Sequence, residues 1–148
     1  MRYIAHRGNI DGPNPEKENH PDYIEEALSK GFDVEVDVRT VYGKYFLGHD
    51  KPMYALPKEF LENNRIWFHC KDHIALDKFN MGVLINKPHY FFHEEDSYAI
   101  TSQGYIWVYP GKPLLTGSIY VLPERSGLNG TYDLCSGICS DFIGDYKI

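Results

Sequence analysis

Several things are scarce in this chain of 148 residues, and each scarcity removes a class of explanation. Positive charge is in deficit: 15 Lys and Arg stand against 21 Asp and Glu, a net charge of −6. Nucleic acid is therefore not an expected partner, because gripping a phosphate backbone needs a basic surface. Any phosphate site must be local, made by a few cations and a metal. Cysteine is sparse, and Cys70, Cys135 and Cys139 lack paired Cys-x-x-Cys spacing. That speaks against a structural zinc site and for reduced thiols in a cytoplasmic protein. The segment from Met1 to His6 lacks the apolar run of about 7–15 residues that a signal peptide needs. Nowhere is there the stretch of roughly 18 apolar residues that a membrane helix requires, so stable membrane insertion is not expected. No repeat, low-complexity tract or linker interrupts the sequence. Residues 1–148 therefore read as one domain, and nothing in them specifies an oligomer.

What is present is an ordinary globular balance, 43% hydrophobic and 24% charged, with 12 Tyr that favour strands. Tyr3–Ala5 is a short apolar strand that opens at His6-Arg7-Gly8 into a loop carrying Gly12, Pro13 and Pro15. A helix follows, capped by Asn19 or His20, with Pro21 in its first turn and Gly31 stopping it. Asp33–Val38 alternates acids with valines, so it is a strand with three acids on one face. Only Arg39–Gly43 separates it from the extended run Lys44–His49, whereas a parallel crossover needs a dozen or more residues. Lys44–His49 is thus expected to return as a hairpin arm. Further strands are expected at Ile66–Lys71, His89–Glu94, Tyr105–Tyr109, Ser118–Leu122 and Gly137–Ile143, and short helices at Leu56–Leu61 and Ile74–Met81. The fold class is α/β, with abbreviated helices in the second half.

Glu35 and Asp37 point the same way from one strand, about 6–7 Å apart along the chain, so both can reach one hard cation. Alone, such a pair reads first as an exposed strand edge, a reading that the all-valine opposite face argues against. His6-Arg7 and His49-Asp50 each close an apolar extended run, where α/β folds bind ligands. A histidine there can move protons near neutral pH, and an arginine can hold two phosphate oxygens. Lys71 closes the Ile66–Lys71 strand with His69 on its face. Trp107, Tyr105 and Tyr109 alternate on a late strand and either stack on a substrate head group or pack the core.

The order IAHRG, EN before a helix, EVDV, GHD and a strand ending in lysine resembles the glycerophosphodiester phosphodiesterase family. That family belongs to the phospholipase C-like phosphodiesterases, which are built on a TIM barrel. The resemblance is densest from Tyr3 to Lys51, reaches Lys71 and resumes at Gly137–Asp141, which looks like the family's last barrel strand. It implies a reduced TIM-barrel-like fold and metal-dependent hydrolysis of a small glycerophosphodiester-like substrate. By resemblance, His6 and His49 are the acid–base pair, Arg7 and Lys71 hold phosphate, and Glu35 with Asp37 binds a divalent metal. Glu18, Asn19, Asp50 and Asp141 would stand behind these groups, with Asp50 orienting His49.

Two departures qualify the resemblance. The chain is far shorter than the roughly 250 residues of a full barrel. His69 also stands where the family has a third acidic ligand. It is expected either to bind the metal, favouring Mn or Zn over Ca with Mg still possible, or to hydrogen-bond a ligand carboxylate. Two rival activities follow from the same residues: a phospholipase D-type enzyme acting on sphingo- or lysophospholipid, and a module that binds a phosphodiester without cleaving it.

Overall fold

The computed structural model describes residues 1–82, 88–126 and 132–146. Its first strand, β1 (Arg2–His6), buries Ile4 and Ala5 on opposite faces and ends in a left-handed residue, Arg7, with φ 55°. Helix α1 (Pro21–Ser29) starts where His20 accepts a hydrogen bond from the Asp22 amide and Pro21 fills the first helical position. Gly31, with φ 87°, turns the chain out of it. Strand β2 (Asp33–Val41) then runs three residues further than its alternating segment, through Arg39, Thr40 and Val41.

The expected hairpin forms. β3 (Lys44–Leu47) pairs antiparallel with β2 across Tyr42 and Gly43, whose positive φ angles suit a tight hairpin turn. The chain continues through β4 (Tyr54–Ala55) and a 3-10 turn at Lys58–Glu62 in place of the helix expected from Leu56. Pro57 stands just before that turn. Next come β5 (Ile66–Cys70) and α2 (His73–Met81), the latter capped by Asp72, whose carboxylate accepts the Ala75 amide at 2.7 Å. The remaining strands are β6 (His89–Phe91), β7 (Tyr98–Ile100), β8 (Ile106–Val108), β9 (Ile119–Val121) and β10 (Gly137–Ser140). After α2 the described connections hold only 3-10 turns, in line with the abbreviated second half. No helix among the described residues is long and apolar enough to cross a membrane, and all three cysteines are free.

Seven strands are parallel, in the order β6-β5-β2-β1-β10-β9-β8, with β7 added antiparallel to β8. Gly137–Ser140 pairs directly with Arg2–Ala5, the neighbour that the resemblance to a last barrel strand implies. Val38 pairs with both Leu47 and Cys70, so β3 and β5 lie on opposite sides of β2. β3 therefore occupies the side where β1 has already ended, above His6. The sheet curls into a mixed half-barrel. Its outer strands lean together: Phe91 and Trp107 meet with ring centroids 4.4 Å apart, and the Ser102 amide donates to the Tyr90 carbonyl at 2.8 Å.

Period-two alternation divides the core. Ala5, Val34, Val36, Val38, Phe68, Cys70 and Ile138 face outward against α1, α2 and the last 3-10 turn. Ile4, Trp67, Phe91, Trp107, Ile119, Val121 and Cys139 fill the concave side. Glu35 and Asp37 are on that concave side, 1% and 0% exposed, so they are not an exposed strand edge.

Candidate functional site

Where β1 and β5 end alongside the middle of β2, the concave face stops being apolar and presents His6, Glu35, Asp37 and His69, with Lys71 one step beyond β5. One side-chain atom from each of Glu35, Asp37 and His69 lies within 4.8 Å of the others. His69 Nδ1 is 3.6 Å from Glu35 Oε1 and 3.4 Å from Asp37 Oδ1. Burial opposes the charge on Asp37, but hydrogen bonds with His49 and His69 and the charge of Arg7 outweigh it. Its pKa is held well below the usual carboxylate range. Burial likewise disfavours a charged His69, yet Asp37 and Glu35 win and raise its pKa. Two carboxylates and one imidazole, converging in a buried place, fit a divalent cation. His69 belongs to that cluster and faces both acids directly.

The groups behind the acids come from the loop after β1. Asn19, left-handed at φ 63°, clamps Asp37 twice. Its Nδ2 donates to Asp37 Oδ2 at 3.0 Å, and its Oδ1 accepts the Asp37 amide at 2.8 Å. Helix capping is thus left to His20. Arg7 donates to Glu18 at 3.1 Å, places Nε 2.9 Å from Asp37 Oδ2, and puts Nη2 2.7 Å from His49 Nδ1. Glu18 in turn accepts from Asn9 at 2.9 Å.

The two histidines are held differently. His6 Nδ1 is 2.7 Å from Asp141 Oδ1, a contact that an N–H donor satisfies and that in a neutral ring puts the lone pair on Nε2. Asn9 also donates to that oxygen at 2.9 Å and Arg125 reaches the other at 3.1 Å. Against the cost of burial, the His6 and Asn9 hydrogen bonds and Arg125 bring the Asp141 pKa down to about 2. His49 arrives on the β2–β3 hairpin, where Arg39 donates to the carbonyls of Gly48 and His49. Its Nδ1 sits between Arg7 Nη2 and Asp37 Oδ1, the latter 3.1 Å away, and can serve one of them at a time. Asp50, expected to orient His49, is instead turned to solvent, 94% exposed and 3.8 Å from Nε2. Arg7 and Asp37 hold the ring because the chain turn after His49 carries Asp50 outward.

His6, Arg7, Glu35, His49, His69 and Lys71 line a cavity of about 320 Å³. Trp107, Tyr109, Val121 and Leu122 line it as well, and so do His93, Glu94 and Arg125. Trp107 is 4% exposed and packs on Phe91 and Trp67, so it is core and cavity wall at once. Tyr105 leaves this group and lies against Trp67 and His89. The basic cavity residues His93 and Arg125 were not anticipated from sequence. His93 stacks on His69 with centroids 4.4 Å apart, and burial, then the charges of His69 and Lys71, lower its pKa to about 4. Its signal was available, since it follows a strand end just as His6 and His49 do. Arg125 had none, because its place depends on how β9 and β10 lie together. Comparison with protein-family models, with curated proteins and with solved structures gives no match for this chain.

Proposed function

We propose that this chain is a phosphoric diester hydrolase of the glycerophosphodiester phosphodiesterase kind, working on a shortened TIM-barrel-like scaffold. The observation that carries the reading is one constellation. His6 at the end of β1 and His49 in the loop after β3 flank a buried Glu35, Asp37 and His69 cluster, and both histidines, Glu35, His69 and Lys71 line one cavity. Glu35, Asp37 and His69 would hold a divalent metal, and two oxygens with one nitrogen favour Mn or Zn over Ca. When bound, such an ion offsets charge developing on a phosphate oxygen.

The chain's own groups supply the rest. His6, with Nδ1 committed to Asp141, is suited to take a proton at Nε2 from the attacking oxygen, either water or a neighbouring hydroxyl of the substrate. His49 gives a proton to the departing alcohol, and for that step its Nδ1 carries a hydrogen and donates to Asp37 Oδ1 in place of accepting from Arg7 Nη2. Lys71 and Arg7 place positive charge beside the phosphate, and the wall of Trp107, Val121 and Leu122 limits water.

Turnover of bis(p-nitrophenyl) phosphate, glycerophosphocholine and lysophospholipid, with and without added Mn²⁺, tests the reading. Metal-dependent turnover of the first two supports it. Failure on every diester refutes it, and turnover of lysophospholipid alone replaces it with a lipid-directed activity.

A further inference from the structure

We propose that Arg125 is the guanidinium that binds the substrate's phosphate oxygens, a role that motif order alone would give to Arg7; this rests on the phosphodiesterase reading. The two guanidiniums of the cavity are differently employed. Arg7 is turned toward the protein: Nη1 donates to Glu18 at 3.1 Å, Nη2 lies 2.7 Å from His49 Nδ1, and Nε is 2.9 Å from Asp37 Oδ2, an ion-pair distance without hydrogen-bond geometry. Its guanidinium is directed at Glu18, Asp37 and His49, and the side chain is only 18% exposed. Arg125 uses only Nη2, 3.1 Å from Asp141 Oδ2, and among the described residues its Nε and Nη1 meet no protein acceptor. Its side chain is 57% exposed and lines the cavity.

The mounting is specific. Leu122, left-handed at φ 46°, turns the chain at the end of β9 so that Pro123–Arg125 folds over the end of β10. Glu124 fastens that turn, accepting the Asp141 amide at 2.9 Å and the Ser140 hydroxyl at 3.0 Å. Asp141 holds Arg125 with one oxygen and His6 with the other, so the free edge of the guanidinium stands one carboxylate away from the proposed base. Asp141 takes one Nη2 hydrogen, so the second Nη2 hydrogen can pair with Nε–H or an Nη1 hydrogen along one edge of the planar guanidinium and meet two oxygens of a phosphate, whereas Lys71 contributes a point charge.

Steady-state kinetics on bis(p-nitrophenyl) phosphate, with inorganic phosphate as competitor, test this in wild type, Arg125→Gln and Arg125→Lys. Arg125→Gln is expected to raise KM and weaken phosphate inhibition by about tenfold or more, with kcat within about threefold. Arg125→Lys is expected to recover part of both. A fall in kcat with KM and phosphate inhibition unchanged overturns the proposal, because Arg125 would then act only through Asp141. If the wild type cleaves no diester, the phosphodiesterase reading fails on its own. Calorimetric titration of inorganic phosphate into the Mn²⁺-treated proteins then decides Arg125. Wild-type binding that weakens about tenfold in Arg125→Gln sustains its role, and equal or undetectable binding in both proteins ends it.

Discussion

His89 offers a stability prediction that is independent of catalysis. It is 5% exposed and lies flat on Trp67, with centroids 3.9 Å apart, planes 12° apart and Nδ1 without a hydrogen-bond partner. The Arg2 guanidinium sits 5.6 Å above the same indole. Burial first, and the charge of Arg2 second, push the imidazole pKa from 6.5 down to about 4. The folded chain therefore keeps His89 neutral while the unfolded chain takes up a proton below about pH 6.5. Stability from this group is fully present above that pH and is lost as pH falls toward about 4. The whole window, 6.5 − 4, corresponds to about 3 kcal/mol at 1.36 kcal/mol per unit. Between about pH 7.5 and pH 5 the loss is about 2 kcal/mol, a sizeable part of a typical domain's stability. His89→Phe keeps a ring on Trp67 and removes the proton. Urea unfolding followed by tryptophan fluorescence should show the variant losing about 2 kcal/mol less than the parent over that pH interval. His93, also low, contributes to both proteins and cancels. Equal pH dependence in parent and variant, or a His89 ring that titrates near 6.5 by NMR, refutes the reasoning.

The remaining expectations concern the site. His6→Ala and His49→Ala should each lower diester turnover by roughly a hundredfold or more without unfolding the chain; near-normal turnover in either variant removes that histidine from the acid–base pair. Glu35→Ala and His69→Ala should each weaken Mn²⁺ binding by about tenfold or more in a metal titration. Parent-like affinity in His69→Ala beside a loss in Glu35→Ala takes His69 out of the ligand set. Gly48→Ala should lower the melting temperature and turnover together, because Gly48 has φ +146° and a Cβ there would lie 2.1 Å from the Lys51 carbonyl oxygen. The strain is about 1–3 kcal/mol, and an unchanged melting temperature would show that the loop bearing His49 relaxes freely.

Local rules carried the parts of the fold that were legible in sequence. Alternation along Asp33–Val38 divided valines from acids, and the short Arg39–Gly43 link dictated a hairpin, since both depend on neighbours in the chain. Only the resemblance pointed to β10 lying beside β1. β7 was not anticipated: Tyr98–Ile100 is partly exposed and lacks alternation. The partners of His49 were also hidden. Asp50 adjoins it in sequence, but side-chain direction after a turn is set by backbone geometry, and Arg7 and Asp37 reach the ring from β1 and β2. Arg125 and Glu124 acquire their places from the packing of β9 against β10, which no spacing encodes.

Because β1 lies between β2 and β10, the order in which this chain can become competent is constrained. Asp141 meets His6 across 135 positions of sequence, one of the longest loops the fold must close. Until β10 docks, His6 has neither its hydrogen-bond acceptor nor a neighbour on one flank, even if the hairpin with His49 is already formed. Contacts so distant form slowly compared with hairpins and helices. Recovery of turnover during refolding should accordingly lag behind recovery of secondary structure, making activity a clock for the final strand's arrival.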